Sequence, residues 1–280
     1  MKVLFFGSSS YCLPIAQKLF HLGHLSAIIT KPTGLIAEFA QKNSVTNFFV
    51  TSREELFRLK RNLEKINLDI AVVSDFGLII PKEIFSLPKH QTLNIHFSIL
   101  PEFRGASPVQ YTIRQGRKTA GISVVIMDER LDTGDIIWQK EILLTGQETS
   151  EELYKKLFNI ISIDLPDIIN KFTSGKLKPK KQDHSKATYT KILTRQDGYI
   201  SWEKLLDKKY SQEIYRKFRA FYPWPGIWTK IDMKGEKKRL KILKFNPQPT
   251  TYNLQPEIVQ LEGKNPVTWK QFQDGYKLTT

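Results

Sequence analysis

The stretch VLFFGSSSYCLPIAQKLFHLGHLSAIIT, residues 3–30, decides the fold of this chain. It begins with a continuous apolar run from Val3 to Phe6, which Gly7 and three serines follow. A helical pattern then extends from Leu13 to His21, and a second apolar run extends from Ala27 to Thr30. Short apolar runs that alternate with helical segments are typical of parallel strands whose two faces are both buried. The stretch therefore predicts a βαβ unit, the repeating element of an α/β fold.

The same alternation continues to about residue 175. Further helices are predicted near Ala37–Lys42 and after Pro81, with an amphipathic segment near Glu54–Lys65. Further strands are predicted at Asp69–Ser74, through Asn94, at Gly121–Asp128 and at Ile136–Leu143. The sequence TSEEL at 149–153 is a capping-box pattern that opens a helix reaching Phe172. We therefore expect residues 1–175 to form one α/β catalytic domain, a Rossmann-like parallel sheet covered by helices.

The composition changes after Gly175. The segment KLKPKKQDHSKATYTKIL, residues 176–193, is polar and rich in lysine, and it predicts a basic linker over 176–204. A helix near Ser211–Phe221 and the aromatic–proline sequence FYPWPGIW follow. Short strands are then predicted at 228–232, 241–245 and 257–261. Residues 205–280 are thus expected to form a small C-terminal β-barrel (OB-like) domain.

Charge is distributed unevenly along the 280 residues. The chain has 43 Lys and Arg against 28 Asp and Glu, a formal net charge of +15. Residues 1–150 carry 17 basic and 14 acidic side chains, whereas residues 151–280 carry 26 and 14. A basic region of this kind attracts polyanions, so nucleic acid is the first partner to consider for the second half. The alternative is a well-solvated basic surface without such a partner.

Several classes of protein and site do not fit the sequence. No run approaches the roughly 20 apolar residues of a membrane span, and the polar residues after Phe6 argue against a signal peptide, so we expect a cytoplasmic protein. The single cysteine, Cys12, excludes an internal disulfide. The five histidines form no ligand pattern, so no metal is expected. Gly7 and the serines lack the G-x-G-x-x-G spacing of a dinucleotide site.

Polar residues alternate with apolar ones in LNIHFSILPEFRG, residues 93–105. In a strand, Asn94, His96 and Ser98 project from one face. Ligands of open parallel sheets bind at the carboxyl ends of the strands, and this strand ends here. The turn DERLDTGD, residues 128–135, follows the next long strand and can bring Asp132 or Asp135 beside the imidazole. The alternative is that Asn94 and His96 only pair with backbone groups in a polar core.

An amide, an imidazole and a carboxylate at one crevice suit acyl transfer to an amine. An amide N–H and an imidazolium can stabilise an oxyanion, and a carboxylate can orient the imidazole and accept the proton of the attacking nitrogen. Such a set requires no serine or cysteine nucleophile.

The motif Asn94-x-His96-x-Ser98, continued by Ile99-Leu100-Pro101-x-Phe103-Arg104-Gly105 and later by Leu131-Asp132-Thr133-Gly134-Asp135, resembles that of the folate-dependent formyltransferases. By this resemblance Asn94 is the oxyanion donor, His96 polarises the formyl carbonyl, and Asp132, in preference to Asp135, pairs with His96 and relays the proton. The folate contacts implied by the resemblance are Phe76, Gly77, Leu78, Ser98, Ile99, Leu100 and Pro101. The segments Ala187-Thr188-Tyr189 and Arg219–Gly226 are similar to the family's linker and its entry into the C-terminal barrel.

The resemblance implies a transfer from 10-formyltetrahydrofolate to the amino group of initiator methionyl-tRNA for translation initiation, by a monomer whose second domain binds tRNA. Two features depart from that pattern. The loop after Thr30 is short where tRNA-specific members have a long basic one, and the barrel has a strand pair missing between Phe245 and Glu257. The alternatives are a formyltransferase for a nucleotide-linked amino sugar and a non-catalytic RNA-binding protein. A glycinamide ribonucleotide formyltransferase is disfavoured, because such an enzyme lacks the linker and barrel.

Overall fold

The computed structural model describes residues 1–233, 235–246 and 254–276. The strands, in chain order, are β1 Val3–Phe6, β2 Leu25–Thr30, β3 Asn47–Phe49, β4 Ile70–Val73, β5 Thr92–His96, β6 Arg104–Gly105, β7 Thr119–Ile126, β8 Ile136–Leu143, β9 Tyr189–Thr190, β10 Ile227–Met233, β11 Glu236–Phe245, β12 Pro256–Leu261 and β13 Val267–Thr268. The helices are α1 Leu13–His21, α2 Leu35–Lys42, α3 Arg53–Arg58, α4 Lys60–Ile66, α5 Lys82–Phe85, α6 Pro108–Arg114, α7 Ser150–Thr173, α8 Trp202–Leu206, α9 Ser211–Ala220 and α10 Trp269–Tyr276.

The chain divides into two compact units. The first unit comprises Met1–Pro108, Thr119–Leu143 and Tyr154–Thr190. The second comprises Val109–Lys118, Leu144–Leu153 and Lys191–Thr280. Each unit is described separately below.

A seven-stranded sheet forms the centre of the first unit, with the strand order β3-β2-β1-β4-β5-β7-β8. The neighbouring pairs from β3 to β5 are parallel, whereas β7 pairs antiparallel with β5 and with β8. The predicted α/β class is therefore confirmed, and the strands predicted at Gly121–Asp128 and Ile136–Leu143 pair with each other as β7 and β8. The antiparallel pairing of β7 with β8 is possible because a short loop joins these two strands, with no crossover helix between them.

The apolar runs of the sequence form the interior of this sheet. All four residues of β1 and all four of β4 are buried, as expected for strands with helices on both faces. The helix α7 begins where the capping pattern predicts, since the Thr149 hydroxyl accepts from the Glu152 N–H while the Glu152 carboxylate accepts from the Thr149 N–H. The amphipathic segment predicted near Glu54–Lys65 forms two helices, α3 and α4, which meet at Leu59.

The second unit contains a four-stranded antiparallel sheet with the order β10-β11-β12-β13. The buried residues of α9 include Ile214 and Ala220. The strand pair that the sequence suggested to be missing between Phe245 and Glu257 falls largely on residues 247–253, which lie outside the described residues. Over the three described ranges, no helix has the length and apolar character needed to cross a membrane.

Candidate active site

Asn94 and His96 lie at the carboxyl end of β5, next to the end of its parallel neighbour β4. Asn94 is opposite Val73 of β4 and Val125 of β7, and His96 is opposite Ser123 of β7. His96 is buried, whereas Asn94 is half-buried. Because the two residues are two positions apart in a strand, their side chains leave the same face of the sheet. The sequence prediction of a shared polar face thus holds for these two residues.

Ser98 lies beyond the end of the strand, so the alternation does not extend to it. The strand ends at His96, and the Ser98 hydroxyl turns back to donate a 2.6 Å hydrogen bond to the Glu102 carbonyl. Ser123 of β7 anchors the same turn, since its hydroxyl donates to the Ser98 carbonyl and accepts from the Leu100 N–H. The turn from 97 to 102 is therefore held by its own hydrogen bonds and by β7.

The carboxylate comes from the loop between β7 and β8. Asp128 closes this loop, because its carboxylate accepts hydrogen bonds from the Thr133 hydroxyl at 2.8 and 2.7 Å. Asp132 adopts a left-handed backbone conformation with φ 55°, which Asp tolerates better than most residues. Gly134 lies so close to the main chain that a Cβ there would clash with the Ile126 carbonyl oxygen. These contacts fix the direction in which the Asp132 side chain leaves the loop.

The structure brings Asn94, His96 and Asp132 together. The Asn94 amide donates to Asp132 Oδ1 at 3.2 Å, and the same oxygen lies 3.6 Å from His96 Nδ1. The other carboxylate oxygen accepts a 2.7 Å hydrogen bond from the Gly105 N–H. The side chains of His96 and Asp132 are only 7% and 6% exposed. Each oxygen of this buried carboxylate is thus committed to a donor, as a buried charge requires.

The second ring nitrogen of His96 defines its tautomer. His96 Nε2 lies 2.8 Å from the Phe103 carbonyl oxygen, which can only accept, so Nε2 carries a proton. In the neutral ring Nδ1 then has a lone pair, and only the protonated ring presents an N–H on the side of Asp132. A proton that arrives at Nδ1 during a reaction would therefore form an ion pair with the carboxylate.

A layer behind the carboxylate is formed by Gln182 and Arg104. The Gln182 amide donates to the main-chain carbonyls of Asp132 and Gly134 at 2.9 and 2.8 Å. Its carbonyl oxygen accepts from Arg104 Nη2 at 2.6 Å, and the same guanidinium nitrogen is 2.8 Å from His184 Nδ1. Arg104 is 1% exposed. Arg104 thus holds the loop of Asp132 indirectly, because it bonds to Gln182 and Gln182 bonds to the loop.

Sequence reasoning missed Gln182 and His184, because both belong to the lysine-rich segment interpreted as a linker. In the structure this segment packs along the loop after β5. The Arg104 N–H donates to the Thr188 carbonyl at 2.9 Å, and β6 pairs with β9 in parallel. The only signal in the sequence was Arg104, which had no assigned role among the apolar and turn residues of the motif from Ile99 to Gly105.

The residues expected to contact folate have different environments. Phe76 is 3% exposed and packs edge-on against Phe6 in the core, while Gly77 follows it with φ 81°. Leu78 packs against the same core cluster.

The turn after β5 supplies the other expected folate contacts. Ile99 fills the space left by Gly121, where a Cβ would clash with its side chain. Leu100 is buried. Pro101 is half-buried, and its carbonyl accepts from the Thr188 N–H. The turn is thus packed on both sides, against β7 and against the segment that precedes β9.

Two further observations concern ionisable groups. Burial raises the pKa of the Cys12 thiol to about 12, so this cysteine is a neutral core residue. In the part of the chain that the structure describes, no group of three or more His, Cys, Asp or Glu side chains is arranged to hold a metal ion.

Comparison with known proteins shows the same two-part organisation. The model of the family described as "Formyl transferase" matches residues 16–169, and that described as "Formyl transferase, C-terminal domain" matches residues 192–260. A protein named methionyl-tRNA formyltransferase from Caldicellulosiruptor saccharolyticus is 32% identical, and the alignment covers 99% of this chain and 98% of that protein.

Solved structures share the fold. A methionyl-tRNA formyltransferase from Clostridium thermocellum has a TM-score of 0.64 at 22% identity, covering 93% of this chain and 99% of the other. The sugar 3N-formyl transferase WlaRD, solved in the presence of dTDP and 5-N-formyl-THF, has a TM-score of 0.61 at 19% identity, with coverage of 89% and 87%. At these identities the structures support the fold, while the family models and the full-length relative show that the chain belongs to the formyl transferase family.

Proposed function

We propose that this chain transfers the formyl group of 10-formyltetrahydrofolate to the methionine amino group of initiator methionyl-tRNA, for translation initiation. The observation that carries this proposal is the full-length match to a methionyl-tRNA formyltransferase, which includes the second unit as well as the first. The meeting of Asn94, His96 and Asp132 supports it, because those three groups suit acyl transfer to an amine.

In this proposal Asn94 and His96 act on the formyl oxygen. The amine nitrogen attacks the formyl carbon, and the carbonyl oxygen takes up negative charge in the tetrahedral intermediate. An amide nitrogen has two N–H groups, and Asn94 uses one of them on Asp132, so the other is left to stabilise the oxyanion. The His96 imidazolium adds a positive charge on the same face of the strand.

Asp132 is proposed to pair with His96 and to accept the proton that the attacking amine loses. Its position supports this role, since one carboxylate oxygen lies between Asn94 Nδ2 and His96 Nδ1. Collapse of the intermediate then breaks the bond from the formyl carbon to N10 of the folate, and the proton passes to that leaving nitrogen. Proton relay of this kind typically contributes about 10²–10⁴-fold in rate.

The folate is proposed to lie along the ends of β4 and β5. Because Phe76 and Leu78 are committed to the core, the segment 76–78 would act mainly through its main chain, which Gly77 leaves without a side chain. The turn from Ser98 to Pro101 would form the other wall. No step of the transfer as proposed uses a metal ion.

The tRNA is proposed to bind the basic linker, residues 176–204, and the domain over residues 205–280. The excess of 26 basic over 14 acidic residues beyond position 150 supports this assignment. Residues 1–175 would carry the chemistry. We propose that the enzyme acts as a cytoplasmic monomer.

A formyltransferase for a nucleotide-linked amino sugar is the second candidate, because WlaRD shares the fold. The charge of the second half favours tRNA, since a sugar nucleotide offers two phosphates and does not need a field of that extent.

One assay separates the candidates. Purified protein is incubated with 10-formyltetrahydrofolate labelled in the formyl group, together with methionyl-tRNA or a dTDP-amino sugar. We expect label in the RNA fraction only, and uncharged initiator tRNA as the control should take up none. Label on the sugar alone would replace the proposal with its alternative. RNA binding without any transfer would favour the non-catalytic protein.

A further inference from the structure

The second unit contains a cavity of about 400 Å³ that the proposed chemistry does not use. Its walls come from the turn at 116–118, the loop at 144–148 and the helix α9. Asn94, His96 and Asp132 do not line it. Its volume falls in the range of pockets that hold small ligands, about 300–1,000 Å³.

The described walls of this cavity carry four basic side chains and one carboxylate. The basic ones are Arg117, Lys118, Arg216 and Arg219. The carboxylate, Glu148, accepts hydrogen bonds from the N–H groups of Thr145 and Gly146 at 2.8 and 3.0 Å. Burial acts to raise the pKa of Glu148, but these hydrogen bonds hold it below its ordinary value. Glu148 is therefore ionised and occupied within its own loop, and the cavity keeps an excess of positive charge.

Arg219 is buried without full satisfaction of its donors. Its side chain is 7% exposed, and Nη1 donates to the Glu148 main-chain carbonyl at 2.8 Å. Its Nε has no hydrogen-bond partner among the described residues. Burial lowers the pKa of Arg219, and the charge of Arg216 acts in the same direction. A buried donor without a partner is unfavourable, and more so when it is charged. A ligand with a hydrogen-bond acceptor would therefore satisfy the Arg219 guanidinium.

Arg216, one helical turn earlier in α9, has the same kind of unsatisfied donor as Arg219. Its Nε is also buried without a partner among residues 1–233, 235–246 and 254–276. Its guanidinium lies against Gly116, where a Cβ would meet Nη1 at 3.0 Å, and Gly116 has φ 66°. Arg219 in turn stacks over the ring of Tyr215 with 5.4 Å to the centroid. Each guanidinium is thus held in place by its surroundings, which lowers the entropy lost on binding a ligand.

We propose that this cavity is a phosphate-binding site in which Arg216 and Arg219 donate hydrogen bonds to the phosphate oxygens. The two guanidinium groups belong to one helix and lie three residues apart, so they can reach the same ligand. A guanidinium presents a planar fork of donors that matches the oxygens of a phosphate. Lys118 adds a further positive charge to the wall. A phosphate group matches this excess of cations, since it carries close to two negative charges as a monoester and one in a nucleic-acid backbone.

The phosphate could belong to a free phosphorylated small molecule or to the sugar–phosphate backbone of RNA. The site is inferred from the cavity and its arginines, and it does not depend on the identity of the formyl acceptor. Binding measurements therefore test it separately from formyl transfer.

Calorimetric titration of the full chain tests this site with three probes: inorganic phosphate, adenosine 5′-monophosphate and an RNA hairpin with an acceptor-stem duplex. We expect saturable binding of at least one probe, weakened about ten- to a hundredfold in Arg216→Gln because a charge-assisted pair is lost. Arg61→Gln, at an exposed arginine outside both the cavity and the proposed tRNA-binding region, is the control and should bind as the wild type does. Weakening for phosphate and the nucleotide identifies a free ligand, and weakening for the hairpin alone identifies RNA.

A second variant guards against a folding defect. Lys118→Gln leaves Arg216 and Arg219 in place, and it should weaken the same probe by a smaller factor while the thermal unfolding midpoint stays unchanged. Failure of the wild type to bind any probe would overturn the proposal. Equal affinity in the wild type, Arg216→Gln and Lys118→Gln would overturn it as well.

Discussion

Asn94 and Asp132 are 38 residues apart in the chain, yet the Asn94 amide donates a 3.2 Å hydrogen bond to Asp132 Oδ1. That oxygen also lies 3.6 Å from His96 Nδ1. One carboxylate oxygen therefore accepts from the amide and faces the imidazole, so a change at Asp132 affects the surroundings of both Asn94 and His96.

Asp132→Asn tests the proposed proton relay. Asn tolerates the left-handed backbone at this position, so the loop should keep its conformation. The neutral amide cannot accept the proton or stabilise the imidazolium, and we expect kcat to fall by about 10²–10⁴-fold while folate affinity is retained. Steady-state kinetics and folate titration measure the two effects. Asp135→Asn in the same loop is the matched control, and a fully active Asp132→Asn enzyme would remove Asp132 from the relay.

Gln182→Met tests the layer behind the carboxylate. The change keeps the length of the side chain but leaves the carbonyls of Asp132 and Gly134 without their donor. We expect the free energy of unfolding to fall by about 1–3 kcal/mol. We also expect kcat to fall with little change in the KM for the folate, because Gln182 positions Asp132 without contacting the substrate. Gln196→Met, at an exposed position, should change neither quantity; unaltered stability and kcat in Gln182→Met would contradict this role.

Gly134→Ala tests the close approach inside the loop. The new Cβ would clash with the Ile126 carbonyl oxygen, and a main-chain atom cannot move aside as a side chain does. We expect a loss of about 1–3 kcal/mol in the free energy of unfolding, measured with urea. Gly275→Ala is the control, since it belongs to α10 and, among the described residues, no atom outside its chain neighbours and its own helix backbone lies within 4 Å of its Cβ position. The prediction fails if the two variants are equally stable.

Lys217 should make stability depend on pH. Burial lowers its pKa to about 8, and the charges of Arg114 and Lys204 contribute in the same direction. Its Nζ donates to the Tyr199 carbonyl at 2.7 Å. An unfolded lysine has a pKa of about 10.4, so between about pH 8 and pH 10 the unfolded chain binds more protons than the folded one. The contribution of Lys217 to the free energy of unfolding therefore rises with pH over that window.

Urea denaturation of the wild type and of Lys217→Met, compared from about pH 7 to pH 10, isolates this contribution. The stability of the wild type relative to the variant should increase with pH. Lys208→Met, at an exposed lysine, should run parallel to the wild type. A constant difference between Lys217→Met and the wild type would show that Lys217 does not titrate in this range.

Ionic strength should control binding of tRNA. If the linker contacts phosphates, the logarithm of the association constant falls linearly with the logarithm of salt concentration, by about 0.9 per neutralised phosphate of a duplex. Replacing the exposed Lys178 and Lys181 by Gln should reduce this slope by about one per lysine. Filter binding of initiator tRNA over a range of salt measures both effects. A slope near zero would exclude the linker and the second unit as the RNA-binding surface.

Local pattern was sufficient for many elements of the first unit, although it predicted no strand at Asn47–Phe49 and one segment where α3 and α4 are separate helices. The helix α1 has the predicted ends, and the four buried residues of β1 are the apolar run from which the βαβ unit was inferred. Period and capping are set by neighbours a few residues apart, so they are visible in a linear sequence. The same local pattern extended the strand to Ser98, whereas β5 ends at His96 and Ser123 of the neighbouring strand holds the turn that carries Ser98.

The sequence by itself determined most of the succession of strands and helices along the chain, the polar face of Asn94 and His96, and the motif that suggested Asp132 as their partner. Only the tertiary structure decided that Gln182 holds the loop of Asp132, that Arg104 is buried behind it, and that Arg216 and Arg219 face a cavity. The physical reason is the range of the interactions. Hydrophobic periodicity is a local property, whereas the hydrogen-bond partners of a buried polar group are chosen among residues that only folding brings near.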